Sequence, residues 1–159
     1  MYKIILIIPL VCFGAVWCGP VTLSACTGIP AQTPPPQMLT YVNITGCAGT
    51  TCTINAGSTE SVEVAFTSAG NYPRLYVNGT ATVAGVQLAP QQISTCDSSV
   101  TGTNRCPIVP GRVVLSTSRS DLSIVRGTYT ATLQLRIGSN TAVTPILFCS
   151  QATLTITVN

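Results

Sequence analysis

A repeat of two residues constrains this chain more than any other feature. Val62, Val64 and Phe66 alternate with Glu63 and Ala65, and Leu75, Val77, Ala81 and Val83 alternate with Tyr76, Asn78 and Thr82. Further on, Tyr129, Ala131, Leu133, Leu135 and Ile137 are separated by Thr130, Thr132, Gln134 and Arg136, and Leu154, Ile156 and Val158 stand among threonines. Successive side chains of an extended chain point to opposite faces, so each run reads as a strand with one apolar and one solvated face. Turn chemistry separates the runs at Gly46, Gly57, Gly70-Asn71, Gly102, Pro110-Gly111, Arg126-Gly127 and Gly138-Ser139-Asn140. No amphipathic stretch of helical length competes. About seven strands in one domain predict an all-β fold, an antiparallel sandwich.

Residues 1–18 stand apart from this pattern. Lys3 precedes an apolar run from Ile4 through Leu10 to Trp17, and the short residues Cys18, Gly19 and Ser24 follow it. The run is shorter than the roughly 20 residues that cross a bilayer, so it reads as a secretory signal cleaved after Cys18. Residues 19–37 are rich in Pro, Thr and Ser, and Pro34-Pro35-Pro36 has no backbone donors for a sheet interior. That segment reads as an extended N-terminal lead, and 38–159 as the sandwich.

Of the eight cysteines, Cys12 and Cys18 leave with the signal. The six that stay, Cys26, Cys47, Cys52, Cys96, Cys106 and Cys149, imply three disulfides in an exported chain. Cys47 with Cys52 and Cys96 with Cys106 suit local staples, which leaves Cys26 for Cys149. Zinc would need reduced thiolates and usually a histidine, and the chain has none. Leu23-Ser24-Ala25-Cys26 also has the form of a bacterial lipobox, a rival use for Cys26. Acylation there would strand Cys149.

Charge and polar chemistry exclude further classes. Once Lys3 is lost, six arginines face Glu60, Glu63, Asp97 and Asp121. Arg105, Arg112, Arg119 and Arg126 recur at an odd step that alternates faces, so they form no basic stripe for nucleic acid. Glu60 and Glu63 are three apart, on opposite faces, and no histidine, nucleophile elbow or phosphate-binding loop is present. The chain is expected to be neither an enzyme nor a holder of cofactors. Asn43-Ile44-Thr45 and Asn78-Gly79-Thr80 are N-glycosylation acceptors on the polar phase of their strands.

Cys106-Pro107-Ile108-x-x-Gly111, preceded by Cys96 and followed by a strand-rich half containing Leu147-Phe148-Cys149, resembles the ML lipid-recognition domain family. That is the family of the Niemann-Pick type C sterol-transfer protein and the group 2 mite allergens. The likeness extends upstream through Val42-Asn43-Ile44-Thr45-x-Cys47, Cys52, Gly57, Val62-x-Val64-x-Phe66-Thr67-Ser68 and Gly85-Val86-x-Leu88, and covers Cys26 to the C-terminus.

The resemblance implies an immunoglobulin-like β-sandwich of two antiparallel sheets with an apolar cavity between them, and the same three disulfides. It places Ile54, Val62, Val64, Leu88, Leu122, Ile124, Tyr129, Ala131 and Leu133 at the pocket lining. Pro90 and Leu133 fall near positions where sterol-carrying members bear aromatic rings. The function implied is a secreted monomer that binds and transfers a lipid or sterol, touching a membrane or receptor on delivery. The lysosomal lumen is a second destination. The alternatives are an extracellular sensor that presents a lipid to a receptor, a structural or adhesion sandwich, and the lipoprotein.

Overall fold

The computed structural model describes residues 19–119 and 125–159, with Arg119 described in its backbone only. The expected signal and the expected pocket residues Leu122 and Ile124 lie outside these residues. In the smaller sheet β5 (Glu60–Ser68) is flanked by β2 (Tyr41–Ile44) and β10 (Gly111–Arg119), and β9 (Thr101–Thr103) completes the far edge. In the larger sheet β12 (Ile146–Val158) pairs antiparallel with β11 (Gly127–Gly138), and β11 pairs with β6 (Tyr76–Val83). Beyond β6 lie β7 (Val86–Gln87) and β8 (Gln91–Ser94). The other edge of β12 is shared by β1 (Ser24–Ala25) and β4 (Thr51–Ile54), and β4 also pairs with β3 (Cys47–Ala48).

Among the described residues the strand pairings are antiparallel except β4 with β12, and the isolated bridges Val21–Gly49 and Gln37–Phe148 are also parallel. The long alternating runs of the sequence are β5, β6, β11 and β12. Twelve strands are present among the described residues, more than the alternation indicates, because β1, β3 and β7 have only two residues each, too few to show a period. Gly102 also departs from expectation. It lies inside β9 rather than in a turn, at φ +132°, where a Cβ would come within 1.9 Å of the Val114 carbonyl oxygen on the neighbouring strand. Only glycine allows β9 to approach β10 this closely.

Three disulfides brace the sandwich, Cys26–Cys149, Cys47–Cys52 and Cys96–Cys106. With its sulfur joined to Cys149, Cys26 has none left for a lipobox thioether. The Pro-rich segment runs extended, and it is tied into the fold along its length. Val21 N donates to Val42 O (2.8 Å) and Thr22 N to Gly49 O (2.8 Å), so the lead bridges the smaller sheet to the β3–β4 hairpin of the larger one. Further along, Gln37 N donates to Leu147 O (3.0 Å) and Cys149 N to Gln37 O (2.8 Å).

Cross-strand neighbours share a face, so the register identifies the inner faces. Val64 lies between Val42 and Leu115, and Phe66 opposite Val113. In the larger sheet Ile137 lies between Val77 and Phe148, and Leu133 between Ala81 and Ala152. Phe66 and Phe148 meet across the sheets with ring centroids 4.5 Å apart, and with Leu75, Ile108, Val113 and Ile137 they form a fully packed end.

Candidate functional site

Packing is not uniform along the sandwich. Toward the opposite end, at the start of β5 and β11 and the end of β6, β10 and β12, the inner-face residues Val62, Val83, Tyr129 and Ile156 are only half-buried, as are Leu133 and Leu135 at mid-sandwich, although Ile54, Ala131, Leu154 and Val158 beside them are buried. The hairpin turn Ala84-Gly85, with both residues at positive φ, sets Val86 opposite Val83 and Leu88 opposite Ala81. Both are in the inner phase, yet Val86 is 64% exposed and Leu88 46%, and nearby in sequence to β11 Val125 is 77% exposed. The strand pattern thus supplies apolar side chains to a region where the sheets do not bury them. In burial the sandwich is a wedge, covered throughout at Phe66–Phe148 and unevenly at the other end.

The expected pocket residues fall on this wedge in graded fashion. Ile54, Val64 and Ala131 are buried; Val62, Tyr129 and Leu133 are half-buried; Leu88 stands on the surface beside them. The Tyr129 hydroxyl donates to Val125 O (2.9 Å), which fixes its ring at the rim of the loose end. At mid-sandwich the side chains meet. The void lined by Val21, Leu23, Val42, Ile44, Leu133 and Leu135 has a volume of about 10 Å³, room for no more than one water. The expected cavity between the sheets is not open at this point, where the volume is too small for an acyl chain.

Two contributions went unread in the sequence. Val21 and Leu23 of the lead close the side of the wedge, and their alternation with Thr22 was the available signal. Glu60 was read only against Glu63, although it shares the phase of Val62, Val64 and Phe66. It is 7% exposed at the start of β5. Ser58 Oγ lies in hydrogen-bond contact with its Oε1, while its Oε2 is buried without a partner.

On the outer face of β5 the Tyr41 hydroxyl donates to Glu63 Oε1 (2.8 Å), and burial followed by that bond to a carboxylate raises the Tyr41 pKa. Asn43 and Asn78 are also in the outward phase, half-buried, each with Oδ1 enclosed and unpartnered. A second cavity, of about 240 Å³, lies at the closed end of the sandwich. There the segment Thr33–Pro36 bows away from β12 between two clips, the Gln32 side chain on Ile146 and the Gln37 backbone on Leu147 and Cys149.

These features define a class: a disulfide-braced, immunoglobulin-like β-sandwich whose apolar inner faces are unevenly buried. The ML domain model matches residues 20–156, and the chain belongs to the ML domain family. Its members bind lipids and are not enzymes, which places this chain among binding proteins. No curated protein matches it by sequence. Among solved structures, a Niemann-Pick type C2 protein from the Japanese carpenter ant superposes with a TM-score of 0.58 at 12% identity, covering 91% of this chain and 99% of that one. AggA, the major subunit of aggregative adherence fimbriae type I from Escherichia coli, gives a TM-score of 0.37 at 14% identity over 76% of this chain and 94% of its own. A likeness that distant carries no argument. The ant protein shows the shared fold.

Proposed function

We propose that the protein is an exported lipid carrier that takes up an apolar or sterol-like ligand between its sheets at the loose end and releases it unchanged. The observation that supports this reading is the burial gradient along the inner faces. Val113 and Ile137 are fully buried, whereas Val62, Leu133 and Ile156 pack against the core with part of their surface uncovered, and a hydrocarbon could complete their burial.

With a void of only about 10 Å³ at mid-sandwich, uptake on this reading requires the sheets to part, and the unevenly covered end is where we place that opening. Half-exposed side chains have fewer neighbours to lose, so that end yields at the lowest cost. A ligand hiding roughly 300 to 500 Å² of apolar surface gains about 8 to 12 kcal/mol before ordering costs, enough for micromolar capture. Val86, Leu88 and Val125 would be the first surface a membrane or receptor meets during delivery. Three disulfides fit an oxidising destination, outside the cell or in the lysosomal lumen.

The test is native mass spectrometry of the protein purified from its own source, joined to titration with a fluorescent sterol and a fluorescent fatty acid. A co-purifying lipid, or saturable protection of either probe, is expected. A protein that carries no lipid and protects neither probe would overturn the reading in favour of a structural sandwich. On the same material, a mass loss with peptide-N-glycosidase would report occupancy at Asn43 or Asn78.

A further inference from the structure

We propose that Glu60 is the polar anchor of this lipid site and that it selects a ligand whose head is a hydrogen-bond donor, a hydroxyl, over one that ends in a carboxylate. The inference rests on the lipid reading above and adds the chemistry of the head group.

The alternation of β5 puts Glu60 in the inner phase with Val62, Val64 and Phe66. Among the described residues it is the one buried acid. Carboxylates are rarely enclosed so completely unless several donors surround them. Glu60 is poorly supplied. Ser58 Oγ reaches both Glu60 Oε1 and the carbonyl oxygen of Asn55 (2.6 Å), and a hydroxyl has a single proton to give. Oε2 is buried and has no partner among the described residues. A carboxylate sharing one proton at most, and enclosed on the inner face of a binding wedge, is a strong acceptor waiting for a donor.

Its place along the strand orients the ligand. Glu60 opens β5 at the loose end, and Val64 lies four residues deeper, about 13 Å along an extended strand. A medium-length alkyl chain with its hydroxyl at Glu60 would run past Val62 to Val64 and Leu133. A fatty acid in the same pose would set its carboxylate against that of Glu60. On β10 the residue opposite Glu60 in the register is Arg119.

The experiment uses the mature disulfide-bonded protein at neutral pH, with N-phenyl-1-naphthylamine as a displaceable probe and 1-dodecanol and dodecanoate as competitors of equal chain length. The alcohol is expected to bind at least about tenfold more tightly, the scale of one hydrogen bond to a charged acceptor. In E60Q the gap should close to about twofold, by loss for dodecanol and gain for dodecanoate. Tighter binding of dodecanoate by the unaltered protein, or a preference that E60Q leaves unchanged, would overturn the assignment while leaving lipid binding standing. If E60Q does not fold, the preference of the unaltered protein decides the matter alone. Displacement of the probe by neither competitor would overturn the lipid reading and this assignment together.

Discussion

Leu133 and Ile137 lie on the same strand and the same face, four residues apart, and they separate the two halves of the wedge. Ile137 is fully buried opposite Phe148, whereas Leu133 is half-buried opposite Ala152. Truncation of a fully buried isoleucine costs about 2 to 5 kcal/mol, so Ile137→Ala should lower unfolding free energy by that amount. Leu133→Ala removes a side chain that is mostly but not fully covered, and its cost should be smaller, about 1 to 3 kcal/mol.

Binding should show the reverse order. Complete burial of a leucine side chain is worth about 1.5 to 3 kcal/mol. A lipid seated on Leu133 supplies at most about a third of that, roughly 0.5 kcal/mol, so Leu133→Ala should weaken lipid affinity about twofold. Ile137→Ala should leave affinity unchanged wherever the variant is folded. Urea unfolding reads the first quantity and a fluorescent-lipid titration the second. If Leu133→Ala costs as much stability as Ile137→Ala and leaves affinity untouched, the inner faces are a filled core throughout and the wedge argument fails.

Two further outcomes test the frame. Cys26 and Cys149 close a loop with a sequence separation of 123 residues, so replacing both with alanine should lower stability by about 2 to 5 kcal/mol, measured in urea under oxidising conditions. Gly102→Ala would drive a methyl group into the Val114 carbonyl and should detach β9, exposing backbone amides of β10 to faster hydrogen exchange while the larger sheet keeps its protection. Unchanged exchange along β10 would show that β9 yields without losing its pairing.

Much of the frame could be read from residues alone, because strand phase is local. The alternation in β5, β6, β11 and β12 depends on neighbours two positions away, and it already assigned Val64, Phe66, Ala131 and Ile137 to the inside. Loop length likewise favoured Cys47 with Cys52 and Cys96 with Cys106, which left Cys26 and Cys149 for each other. The same rule applied to Glu60 shows its limit. Phase aims the side chain inward, but burial depends on how closely the opposite sheet approaches.

That distance is a tertiary property, set by strands far apart in sequence. The placing of β4 parallel to β12, the closure of the side by Val21 and Leu23, and the bowed strap between Gln32 and Gln37 all arise from long-range pairing. No local pattern encodes them. Which side chains face inward is therefore a matter of sequence, because the pleat repeats every two residues. How completely each inward side chain is covered was decided by tertiary packing, which encloses Phe66 against Phe148 and leaves Val62, Leu133 and Ile156 partly uncovered at the edge of the core.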